Sequence, residues 1–92
     1  MDLRAGDRKP SNIVLSCVIL GREERAILCD VSLGGCRIEL FDGGVPQRGS
    51  TIIFDAGPES HFAGEIVWVR GIEAGVRFTR VLSPEVCRAL EL

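Results

Sequence analysis

The apolar residues of this chain come in six short, β-branched-rich runs, each closed by glycine, proline or small polar residues. Such runs are strand length, and the clusters between them are turn chemistry. The runs are Ile13 to Leu20, Arg25 to Val31, Cys36 to Leu40, Ser50 to Asp55, His61 to Arg70 and Ala74 to Thr79. Cys36-Arg37-Ile38-Glu39-Leu40 shows the pattern most cleanly, with Cys36, Ile38 and Leu40 facing in and Arg37 and Glu39 facing out. In the fifth run, alternation puts Phe62, Ile66 and Trp68 on one side, with Trp68 in the core, and Gly64 marks a bulge or tight bend. After the last run, Ser83 is a good N-cap, Pro84 suits the first helical position and Glu85 complements the dipole. A short helix then turns Val86 and Leu90 toward the core. The expected architecture is all-β with one terminal helix: a six-stranded antiparallel β-barrel, whose closure removes exposed edges.

Ninety-two residues suffice for one domain with a single modest core. A hydrophobic content of 46% argues against disorder. Residues 1–12 are polar and carry no strand or helix period, so they read as a flexible, arginine-bearing arm ahead of a barrel spanning residues 13–92. No apolar run approaches the length of a membrane span and no leader pattern heads the chain. A cytoplasmic protein without membrane insertion is the expectation.

A net charge of −2 gives no general attraction for DNA or RNA. A small barrel that tracks single-stranded nucleic acid would also need aromatic residues among its basic ones, and the chain has no tyrosine. No two of Cys17, Cys29, Cys36 and Cys87 have C-x-x-C spacing and His61 stands alone, so no metal site is expected. Cys17, Cys29 and Cys36 lie in apolar runs and read as small core residues. One histidine and no nucleophile–base set argue against an enzyme.

Two stretches stand apart. Asp30-Val31-Ser32-Leu33-Gly34-Gly35 sets two short polar side chains one place apart, on one face if the backbone is extended, next to a bare main chain. Taken locally this is a turn, and it also suits a planar, hydrogen-bonding ligand such as a purine. Upstream, Arg4 and Arg8 share a side of the arm, whether it is helix-like or extended.

Arg4-Ala5-Gly6-Asp7-Arg8 followed after one hairpin by Asp30-Val31-Ser32-Leu33-Gly34-Gly35 resembles the PilZ domain family, with its R-x-x-x-R arm and D/N-x-S-x-x-G loop. Gly64-Glu65-Ile66-Val67-Trp68 and Ala74-Gly75-Val76-Arg77-Phe78 are similar to later strands of that family. The resemblance implies a barrel that binds the bacterial second messenger cyclic di-GMP and answers to an effector protein. It implies that Arg4 and Arg8 grip phosphates and guanine edges. Asp30 and Ser32 would then bond a guanine, and Gly35 would let the ligand approach the main chain. The alternative is a PilZ-like module that works through protein contacts without nucleotide.

Overall fold

The computed structural model describes residues 9–41 and 44–92. Six strands close into a barrel: β1 (Lys9–Ile19), β2 (Arg22–Val31), β3 (Gly35–Leu40), β4 (Thr51–Asp55), β5 (His61–Arg70) and β6 (Glu73–Phe78). Their order around the barrel is β1-β2-β3-β6-β5-β4, and each neighbouring pair is antiparallel. The helix α1 (Pro84–Ala89) follows. This is the expected fold, strand for strand.

Alternation explains most of the core. Ala26, Leu28, Ile38, Ile52, Phe54 and Ile66 are fully enclosed, while their neighbours in sequence face outward or lie at the margin. Phe54, Phe62 and Phe78 form one aromatic group, stacked at 4.7 Å and then edge-on at 5.5 Å. The helix is built as its sequence predicts: the Ser83 hydroxyl accepts from the Val86 amide at 3.2 Å, Pro84 opens the first turn, and Val86 and Leu90 are buried.

Two sequence expectations shift at the margins. Residues 9–12, read as arm, begin β1, where Lys9 pairs with Val31 and Pro10 with Asp30. The first hairpin turns through Leu20 and Gly21 alone, both in the left-handed region at φ 53° and 75°, which suits a tight two-residue loop between twisted strands.

Three corrections concern where the register is regular and where it slips, which a period-2 reading does not foresee. Gly64 stays in regular pairing, facing Ile52 and Phe78; it is glycine because a Cβ there would meet the Val76 side chain and, at 2.7 Å, the Arg77 carbonyl oxygen. The β5 irregularity lies between Ile66 and Trp68 instead. It turns Trp68 outward, half-buried against Gly75, and gives its core place to Val69. A second shift, between Leu28 and Asp30, leaves Cys29 half-buried outside the core cluster, whereas Cys17 and Cys36 are core.

Candidate functional site

The shift at Cys29 also sets the orientation of Asp30. With unbroken alternation from Leu28, Asp30 would point inward and Val31 outward. The extra residue reverses this, so Val31 is 1% exposed in the core and Asp30 faces Arg37 across the strand pair. Pairing then continues around the barrel, from Arg37 to Gly75 on β6 and from Gly75 to Trp68 on β5. Asp30, Arg37, Gly75 and Trp68 therefore form one lateral row over four strands. Its two ends are placed by the two register shifts.

Charge along this row is tightly arranged. Arg37 donates from Nε to Asp30 Oδ2 at 2.9 Å and from its terminal nitrogen to Glu73 Oε2 at 2.6 Å. The hydrogen bond to Asp30 raises the Arg37 pKa above its already high ordinary value, so the guanidinium stays charged. Arg70 approaches Glu73 at 3.9 Å and lies 5.6 Å from the centre of the Trp68 ring. Glu39 sits directly opposite Glu73. Among these residues the acids Asp30, Glu39 and Glu73 outnumber the bases Arg37 and Arg70. An anionic ligand on this face needs positive charge from elsewhere.

Ser32 does not continue the face that Asp30 occupies. β2 ends at Val31, and Ser32 curls into the following turn with only 3% exposure. Its amide and hydroxyl both donate to the Gly35 carbonyl, at 2.9 and 3.2 Å, and its oxygen accepts from the Gly34 and Gly35 amides at 3.2 Å each. The hydroxyl thus ties the loop together. The two glycines differ. A Cβ on Gly35 would fall on the Val76 carbonyl oxygen of β6, so the bare residue there is what lets β3 and β6 approach. Gly34 has open space where its Cβ would lie, and its carbonyl accepts from the Phe78 amide at 2.9 Å.

Arg4 and Arg8 lie outside the described residues. The structure brings Asp30, Ser32 and Gly35 together at one end of the β2–β3 hairpin, and β1 enters beside Asp30. The family model for the PilZ domain matches residues 2–91. The chain belongs to the PilZ domain family. No curated protein matches it. PilZ domains are a family of cyclic di-GMP-binding modules, binding or adaptor units in kind and not catalysts. The described residues of this PilZ domain contain no cluster of histidine, cysteine or acid able to hold a metal ion, and no helix long and apolar enough to cross a membrane.

Reading the sequence alone missed Arg37 as the partner of Asp30 and Trp68 as the far end of the same row. Arg37 had a visible signal, since it is outward on a strand that must pair with β2. Trp68 had none, because only the β5 register shift brings it to that face.

Proposed function

We propose that this PilZ domain is a cyclic di-GMP receptor in which the arginine-bearing arm closes over ligand held against the Asp30 face. One observation carries the reading: Pro10 pairs with Asp30 and Lys9 with Val31. The end of the R-x-x-x-R motif is therefore one covalent step from a residue paired with the D-x-S-x-x-G segment. The Arg4 Cα, five residues before that of Lys9, lies no farther than about 18 Å from it, at roughly 3.3–3.6 Å per residue.

The chemistry is matched. Cyclic di-GMP carries two phosphate charges and two guanines, each presenting O6 and N7 acceptors and N1–H and N2–H donors. A carboxylate such as Asp30 accepts from the donor edge, and arginine forks onto phosphate or the acceptor edge. The acid surplus around Asp30 makes Arg4 and Arg8 the natural source of the missing positive charge. Ser32 contributes by holding the loop in shape, and Gly35 by keeping β3 against β6. As a binding or adaptor unit, the domain would act by presenting the closed arm to an effector protein, in the cytoplasm where the nucleotide acts.

A second reading, protein contact without nucleotide, is favoured by the exposed apolar side chains of Val18, Ile53 and Val81 on the other side of the barrel. Thermal melts separate the two. Cyclic di-GMP at about 100 times its Kd stabilises by about 2.7 kcal/mol, roughly 10 °C or more for a domain of this size. No shift, or an equal shift with cyclic di-AMP, overturns the receptor reading.

A further inference from the structure

Arg37 is the one arginine among the described residues whose guanidinium bonds two carboxylates on two different strands, Asp30 on β2 and Glu73 on β6. Lone exposed ion pairs contribute little to stability, at most about 1 kcal/mol. This pair differs in burial and geometry. Side-chain exposure is 20% for Asp30, 33% for Arg37 and 24% for Glu73, and both bonds are short. A planar fork anchored at both ends cannot swing, so its Nε–H fixes where Oδ2 of Asp30 lies and with it the plane of the carboxylate.

Resting on the cyclic di-GMP reading above, we infer that Arg37 is a positioning residue that sets the Asp30 carboxylate plane and thereby the domain's preference for a base bearing a 2-amino group. A carboxylate reads guanine best when its two oxygens meet N1–H and the 2-amino N–H together, which requires the carboxylate to lie in the plane of the base. Hypoxanthine keeps N1–H and lacks the 2-amino group. A freely turning carboxylate still meets one donor on either base; only an oriented one gains from the second. Glu73 takes part from behind, by holding Arg37.

The test compares cyclic di-GMP with cyclic di-IMP by calorimetric titration on the full chain and on Arg37→Gln and Glu73→Ala. The wild type is expected to prefer cyclic di-GMP by about 10-fold or more, the scale of one hydrogen bond to a charged group. In Arg37→Gln that ratio should fall to within about threefold, and in Glu73→Ala it should fall partway. A merely electrostatic or structural role for Arg37 would weaken both ligands in parallel. An unchanged ratio in a folded Arg37→Gln therefore overturns the inference. Should Arg37→Gln fail to fold, the ratio in Glu73→Ala decides in the same way. Wild-type binding of cyclic di-GMP with no preference over cyclic di-IMP overturns this inference and leaves the receptor reading standing. Binding of neither nucleotide overturns both.

Discussion

The indole of Trp68 covers Gly75 so closely that a Cβ on residue 75 would fall on the ring. The two residues face each other across β5 and β6, on the same row as Arg37 and Asp30. A large aromatic ring over a cross-strand glycine fills the space that a missing side chain leaves, and shields backbone that would otherwise be wet.

Gly75→Ala is expected to destabilise the domain by about 1–3 kcal/mol, because the ring must leave a well-packed position. The cost should shrink when Trp68 is already alanine. Urea denaturation of the two single variants and the double variant checks this, through a coupling energy between the sites.

Adjacent glycines in the loop should behave oppositely. Gly35→Ala forces β3 away from the Val76 carbonyl and is expected to destabilise by about 2 kcal/mol or more. Gly34→Ala meets open space and its backbone is outside the left-handed region, so stability should stay level or rise by about 0.4–1 kcal/mol. Chemical denaturation of each variant distinguishes them.

Arg8 and Ser32 should separate affinity from stability. Arg8→Ala is expected to lower cyclic di-GMP affinity by about 2–5 kcal/mol, as for truncation of a buried charge contact. Ser32→Ala removes the acceptor for two loop amides and should destabilise the free domain by about 1–3 kcal/mol. Its direct effect on affinity should be smaller, about 0.5–1.5 kcal/mol. Titration calorimetry and thermal melts of both variants, run side by side, test the division.

Alkaline pH should weaken the fold through Cys17. Burial, aided by the nearby Glu24 charge, pushes this thiol up to about 11 from 9.0. Between those values the unfolded chain gives up the proton that the folded chain keeps, so stability falls as pH rises. The contribution is intact below about pH 9 and has been lost by about pH 11, amounting to roughly 2–3 kcal/mol. The absence of tyrosine keeps this window free of phenol ionisation. Urea midpoints at pH 8 and 10.5 should diverge in the wild type and by less in Cys17→Ala, where Cys29, also pushed up by burial, still titrates.

Much of the fold was legible in residue order. Clean alternation in Cys36 to Leu40, turn formers between short apolar runs, and the Ser83-Pro84-Glu85 start of α1 all reflect local rules that act within a few residues. Spacing of the two motifs placed Asp30, Ser32 and Gly35 in one loop region, where the barrel holds them. Their individual surroundings were not legible. Composition cannot tell that the Ser32 hydroxyl is engaged within its own turn, or that Gly35 is bare for the sake of the Val76 carbonyl rather than open to solvent.

What the amino-acid order determined by itself was the number of strands, the sites of the turns and the helix start, because period and turn chemistry are properties of neighbouring residues. Only the closed barrel decided which way Asp30 and Trp68 point. Each depends on a register shift, at Cys29 and between Ile66 and Trp68, and register is settled by how one strand fits the next around the ring. The row from Asp30 through Arg37 and Gly75 to Trp68 exists because four strands agree on their pairing, and no single stretch of sequence contains that agreement.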